Sequence, residues 1–303
     1  MFNESRFVFV GGAGRSGTTM IQKYLLSHPE ISGGPEFYHT RDVFKLYQKF
    51  YNHKEALQVY MEDLDLENHF KDFYSSFFKG FYSEDIKVIT EKTPTNIEVA
   101  HTLLNLYPEA LFIYIYRDGR GVVNSHLKVK KRAKKKGKNL TELNLIRTSK
   151  YWIQRQEIAR QVKEEHPNRF IEIKYEDFLI DPEEHLKTLF STLEIKNYSE
   201  EVLRNKSGDY SRDVHINDIW YTNEMYNSGV NKKKANQWKN DLNILQRFVL
   251  NSILFKELKI ANYEVSNSYK VFNYVFSFFL NWKEELKSLK VLKPFLYVKR
   301  RLQ

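Results

Sequence analysis

Two hydrophobic periods take turns along this chain. Short apolar runs occur at Phe7–Val10 (FVFV), Lys87–Thr90 (KVIT), Leu111–Tyr116 (LFIYIY) and Phe170–Lys174 (FIEIK). Their length and their β-branched or aromatic content predict buried or half-buried strands. Between them, over Thr18–Ser27, Ile97–Tyr107, Thr141–Glu165 and Glu183–Leu193, apolar positions follow a helical period. Strands that alternate with helices require a parallel sheet covered on both faces. Such sheets bind ligands outside the carboxyl ends of their strands, so the residues that follow each strand are the ones to read. Lys45–Phe81, rich in Tyr and Phe, reads as a helical insertion, and the aromatic-then-basic stretch from about 246 to 303 reads as an appended helical tail. With no clear linker, one domain over 1–303 is expected, its core running from about 6 to 245.

Composition narrows the class. A chain of 303 residues that is 42% hydrophobic and 28% charged buries a substantial core. The absence of cysteine removes disulfides, thiolate metal sites and Cys nucleophiles. The net charge of +10 is local: Lys128–Lys138 (KVKKRAKKKGK) carries eight basic residues and no acid, and Lys283–Arg301 carries seven basic residues against two acidic ones. A near-neutral body with two basic patches and no recognition motif argues against nucleic-acid binding. The Lys-rich run is expected to be a mobile, solvated segment. No leader is evident at the first residues, and Val271–Trp282 falls short of the roughly 20 apolar residues that a spanning helix needs. The expected protein is soluble and cytoplasmic. Its tail, with Phe276, Phe278, Phe279 and Trp282 ahead of basic residues, is suited either to packing on the body or to peripheral contact with an anionic membrane.

The first strand runs into Gly11-Gly12-Ala13-Gly14-Arg15-Ser16-Gly17-Thr18-Thr19 and then the amphipathic Met20–Ser27. A Gly-rich turn from a strand into a helix presents backbone N–H groups at the positive end of the helix dipole, which makes an anion cradle. The spacing of Gly12 and Gly17 mimics the nucleoside-triphosphatase loop G-x-x-x-x-G-K-[ST], but Thr18 stands in place of the lysine. The third strand ends in Arg117, where such enzymes commonly place an Asp for Mg²⁺. The site thus suits phosphates without a γ-phosphate or a metal, and a nucleotide kinase or triphosphatase is the disfavoured rival. A second rival is a non-catalytic nucleotide-binding protein. After the third strand, Arg117-Asp118-Gly119-Arg120-Gly121-Val122-Val123-Asn124-Ser125 brings a guanidinium and, eight residues later, a helix hydroxyl suited to a second phosphate.

Together the two segments resemble the sulfotransferases that use 3′-phosphoadenosine 5′-phosphosulfate. GAGRSGTT is similar to their 5′-phosphosulfate loop, and RDGRGVVNS to their 3′-phosphate motif, in the same order and with similar spacing. Tyr175-Glu176-Asp177 after the fourth strand agrees, and Asn227–Lys239 resembles the family's late nucleotide-closing loop. The resemblance spans about residues 7–240 and is nearest to the tyrosylprotein sulfotransferases, whose loop continues through a His-Pro pair (here His28-Pro29) to an acidic catalytic residue. It implies an α/β fold with a P-loop-like central parallel sheet flanked by helices. The implied donor site is Gly14, Arg15, Ser16, Gly17, Thr18, Thr19, Arg117, Ser125, Tyr175 and Lys239. The implied catalytic set is Glu36 as general base with Arg15, Lys92 (in Glu91-Lys92-Thr93-Pro94) and Thr222. Pro35 departs from a second acidic residue of that branch, and Thr222 replaces the family's late catalytic Ser. His39 is the competing base. The implied reaction moves a sulfuryl group to an acceptor hydroxyl, a protein tyrosine ahead of a carbohydrate, with an acidic acceptor expected and no metal required.

Overall fold

The computed structural model describes residues 6–60, 65–195, 219–222 and 231–276. Five strands, β1 (Arg6–Gly12), β2 (Ile31–Gly33), β3 (Val88–Lys92), β4 (Leu111–Tyr116) and β5 (Phe170–Lys174), form one sheet in the order β2-β3-β1-β4-β5. Every neighbouring pair is parallel. Around it lie α1 (Thr18–Leu25), α2 (Thr40–Tyr51), α3 (Lys54–Leu57), α4 (Leu66–Ser76), α5 (Ala100–Leu106), α6 (Gly119–Lys135), α7 (Leu145–Glu165), α8 (Tyr175–Ile180) and α9 (Pro182–Thr192).

The alternation in FVFV sorts the two faces of the sheet. Phe7 and Phe9 join Ile89, Phe112, Tyr114 and Phe170 in an aromatic-rich layer against α2, α4 and α5. Val8 and Val10 join Val88, Leu111, Ile113 and Ile115 in an aliphatic layer against α1 and α9. The aromatic insertion expected at Lys45–Phe81 folds as the rest of α2, then α3, α4 and a 3₁₀ turn at Lys79–Phe81, and it lands on the aromatic layer through Tyr47, Tyr74 and Phe78, beside Phe44 of α2. Burying each such side chain contributes on the order of 1.5–3 kcal/mol, so this half of the core depends on the insertion.

A third apolar cluster joins Val122, Val123 and Trp152 to Leu250, Ile253, Leu254 and Leu258, which lie on helices Ile244–Ile253 and Phe255–Ile260. The first part of the expected tail is therefore packed onto α6 and α7. Tyr269 and Phe276 pack at the margin of that cluster, and the exposed Phe272 ring lies 4.9 Å from that of Phe248. Phe278, Phe279, Trp282 and the basic end lie outside the described residues. Among the described residues, no helix is long and apolar enough to cross a membrane.

The structure differs from the sequence pattern at several points. β2 has only three residues, too few to show a period, and it pairs along β3 from Ile31–Val88 to Gly33–Thr90. The Lys-rich run, expected as a mobile, solvated segment, continues α6 as a helix as far as Lys135. Val129 and Ala133, one helical turn apart, are buried against Leu143 and Ile219 and hold one face of the run down. The helix expected from Thr141 begins at Leu145, where the Asn144 side chain caps it by accepting from the Arg147 N–H at 3.1 Å.

Candidate active site

Sheet register brings the chemistry to one edge. Val10 pairs with Lys92 and Gly12 with Ile115, so the turn after β1, the last residue of β3 and the tip of β4 stand side by side. They open into a cleft of about 830 Å³.

The turn is shaped for an anion. Gly17, just before α1, has φ +111°, and a Cβ there would lie 2.6 Å from the Tyr175 ring, so position and neighbour both select glycine. The Gly14 N–H donates to the Tyr151 hydroxyl at 2.8 Å, and the Ser16 N–H closes a turn onto the Ala13 carbonyl at 3.0 Å. The Ser16 hydroxyl is fully buried and has no hydrogen-bond partner among the described residues. A buried hydroxyl without a partner is costly, and at the start of a helix it fits a phosphate oxygen.

Arg117 leaves β4 and crosses toward this turn. Its guanidinium donates to the Arg15 carbonyl at 3.3 Å and the Lys234 carbonyl at 2.7 Å, and it stacks 4.4 Å above the Tyr175 ring. Its Nε is buried and unpartnered among the described residues, a second donor pointing to an anion. Asp118 caps α6 by accepting from the Arg120 N–H at 2.9 Å. Arg120 takes a structural part: it pairs with Asp118 at 2.7 Å, stacks 4.2 Å from Trp238 and donates to the Glu264 carbonyl at 3.0 Å. Arg15, with φ +75°, spans the cleft, donating to Ser125 Oγ at 3.1 Å and to the Trp220 carbonyl at 2.9 Å. Burial, then the neighbouring Arg132, pushes its pKa down to about 10.

Opposite the turn lies a buried ion pair. Lys92 Nζ and Glu36 Oε1 are 2.7 Å apart, with side chains 0% and 7% exposed. An ion pair so desolvated is costly to build and is weak support for stability; its place beside an anion cradle gives it chemical meaning. The same ammonium reaches Thr19 Oγ1 at 3.4 Å, so it stands between the carboxylate and the start of α1. The buried Tyr221 hydroxyl donates to Glu36, and burial and that carboxylate hold the phenol pKa far above its ordinary value. Behind the pair, buried Glu91 accepts from Thr40 at 3.0 Å and Thr93 at 2.6 Å and from Asn96, which ties β3 to α2 and to the turn that follows. Burial raises its carboxyl above the usual range.

Of the residues singled out from the sequence, Gly14, Arg15, Gly17, Thr18, Thr19, Glu36, Arg117, Ser125, Tyr175 and Thr222 all line the cleft. Ser16 and Lys92 lie just beneath its surface, fully buried. Lys239 is exposed and away from the cleft wall, its ammonium 5.8 Å from the Trp238 ring, whereas Lys234 lines the cleft. His39 precedes α2 outside the cleft wall, its ring against Phe37. Residues 223–230 of the late loop lie outside the described residues. Sequence reasoning missed Tyr38, Tyr151, His126, Trp220 and Tyr221. No motif or period marks a lone aromatic residue, although Tyr221 stands next to Thr222. Among the described residues, one group is spaced to hold a metal ion, His101, Glu165 and His166. It lies outside the cleft, and Arg169 bonds to His166 Nδ1 at 3.0 Å, which sets a fixed cation against it.

The model of the sulfotransferase family matches residues 8–200, most of the chain and all of the sheet but the first two residues of β1. This chain belongs to the sulfotransferase family. Among its relatives, the protein-tyrosine sulfotransferase A of Caenorhabditis elegans is 24% identical over 240 residues, which cover 77% of this chain and 61% of that protein. The putative protein-tyrosine sulfotransferase of Caenorhabditis briggsae is also 24% identical, over 78% of this chain and 81% of that protein. This sulfotransferase-family chain thus spans about three fifths of the length of the first relative. The fold is shared with the sulfotransferase domain of the Synechococcus PCC 7002 olefin synthase (TM-score 0.57, 18% identity, 88% of this chain and 98% of that one). The sulfotransferase domain from the curacin biosynthetic pathway shares it too (TM-score 0.53, 18% identity, 86% of this chain and 99% of that one).

Proposed function

We propose that this chain transfers a sulfuryl group from 3′-phosphoadenosine 5′-phosphosulfate to an acceptor hydroxyl, with a protein tyrosine as the acceptor. The observation that carries the reading is the buried Lys92–Glu36 pair facing an anion cradle that holds two unpartnered buried donors, Ser16 Oγ and Arg117 Nε. The backbone N–H groups of Gly14–Thr19, with Ser16, Thr18 and Thr19, would hold the 5′ end of the donor. Arg117 and Ser125 would hold its 3′-phosphate, beside Tyr175. The donor supplies an activated sulfuryl group on a good leaving group.

The chain's own residues supply the rest. A phenol has a pKa of about 10 and attacks poorly while protonated. Glu36 removes that proton as attack proceeds, an effect worth about 10²–10⁴-fold. Arg15 and Lys92 neutralise the charge that develops between acceptor and leaving phosphate, and Thr222 adds a hydrogen bond. An acidic acceptor suits the basic groups that line the cleft beyond the donor residues, Arg41, Lys128, Arg132 and Arg147. The protein-tyrosine sulfotransferases among the relatives support the phenolic acceptor.

The experiment supplies the donor with tyrosine peptides, glycans and lipids and follows added sulfate by mass spectrometry. Sulfate on tyrosine peptides, best with acidic flanks, is expected. Transfer to glycans alone would overturn the acceptor assignment, and no transfer to any acceptor would overturn the reaction.

A further inference from the structure

The segment Ile219–Thr222 lies across the acceptor side of the cleft and is held at each residue from Ile219 to Tyr221. Arg132 Nε donates to the Ile219 carbonyl at 2.9 Å. Arg15 Nη1 donates to the Trp220 carbonyl at 2.9 Å, and the Trp220 ring meets His126 edge-on at 5.9 Å. Tyr221, 6% exposed, delivers its hydroxyl to Glu36, with Lys92 Nζ 5.9 Å from its ring and Tyr38 bonded to the same phenol. Tyr38 holds a left-handed backbone (φ +61°) two residues after Glu36, a conformation that is costly for a non-glycine residue and fixes the approach of its ring.

A phenol donating to the carboxylate that serves as base, beside a buried ammonium and one residue from the carbonyl that Arg15 grips, is placed as an acceptor tyrosine must be placed. We propose that Tyr221 occupies the acceptor site and is itself sulfated by the chain that carries it. This rests on the reaction and the base assigned above. The Tyr221 phenol oxygen forms the new S–O bond, its proton passes to the Glu36 carboxylate, and the bond from sulfur to the 5′-phosphate oxygen breaks. That oxygen keeps the electron pair, and the products are tyrosine sulfate and adenosine 3′,5′-bisphosphate. Until it moves aside, Tyr221 also competes with an incoming tyrosine, so the apparent affinity for that tyrosine falls by the fraction of time the site is open.

The test incubates the purified full chain with the donor alone and reads intact mass and fragment maps. The expected result is one added SO₃ per chain, located on Tyr221, formed at a rate that does not depend on protein concentration. It is absent from Tyr221→Phe and from Glu36→Gln. Tyr221→Phe keeps the ring, removes the competing hydroxyl and lowers KM for a tyrosine peptide by about threefold or more. Its melting temperature, measured alongside, shows that loss of sulfate is not loss of fold. Sulfate on Tyr38 instead, or a rate that scales with concentration, overturns the proposal. So does an unmodified Tyr221 in a sample that binds adenosine 3′,5′-bisphosphate and sulfates an added peptide, and that outcome leaves the parent reaction standing. A sample that neither binds the nucleotide nor transfers sulfate to any acceptor overturns both.

Discussion

The two sides of the cleft are built differently. The side that faces Arg117 is assembled from contiguous sequence: a strand, a Gly-rich turn and a helix, then a strand, an arginine and a helix. The side that faces Glu36 draws single residues from far apart: Glu36 after β2, Lys92 at the end of β3 and Tyr221 from a segment late in the chain. The first side is dictated by backbone geometry. The second is a meeting of side chains carried by a loop, a strand end and a late segment, the kind of arrangement through which one fold takes on different chemistries.

If the comparison holds, changes on the two sides separate chemistry from nucleotide affinity. The largest effect belongs to Glu36→Gln, which is expected to lower turnover by about 10²–10⁴-fold and leave nucleotide affinity unchanged in calorimetry. Parallel loss of affinity would erase the distinction between the sides. Gly17→Ala forces a Cβ to 2.6 Å from Tyr175 at φ +111°. It is expected to cost about 1–3 kcal/mol in denaturant unfolding and to weaken nucleotide binding. Arg117→Lys keeps the charge but gives up the fork and the stack on Tyr175, so nucleotide affinity falls about tenfold, near 1.4 kcal/mol, while KM for the acceptor changes little.

His126, buried behind the turn, sets a pH dependence. Burial pushes its pKa down to about 4, helped by Arg15 and opposed by its bond to the Val122 carbonyl. Between the ordinary value of about 6.5 and that lowered value, the unfolded chain takes up a proton that the folded chain refuses. Its contribution is intact at neutral pH and shrinks as pH falls through that window, by up to about 3 kcal/mol. Melting temperatures of wild type and His126→Gln between those pH values should converge as the medium becomes more acidic. The smallest effect is expected from replacing Lys134, Lys135 and Lys138, all exposed, by Gln. Stability stays within about 0.5 kcal/mol, and the salt dependence of acceptor KM flattens. An unchanged salt slope would remove these lysines from acceptor steering.

How legible each part was in the sequence follows from the same contrast. FVFV and LFIYIY announced β1 and β4, and the glycines and arginines that follow them announced the anion cradle, because strand period and turn chemistry are local. β2 was silent because three residues carry no period. β3 was cut short at Thr90 because its last residues, Glu91 and Lys92, are charged yet buried, and their partners, Thr93, Asn96 and distant Thr40 for Glu91 and distant Glu36 for Lys92, come together only in the fold. The Lys-rich run looked solvated because eight charges outweigh the two small apolar residues that anchor it. Tyr221 was invisible since its meaning comes from Glu36, which the chain reaches only after folding.

The most direct test of the central claim is calorimetric binding of adenosine 3′,5′-bisphosphate to the wild-type chain, to Gly17→Ala and to Arg117→Lys, without magnesium. One nucleotide per chain is predicted for the wild type, with affinity reduced by each substitution, since one ligand must touch both the turn after β1 and the tip of β4. No binding, preference for magnesium-ATP, or loss in only one of the two variants would contradict the account.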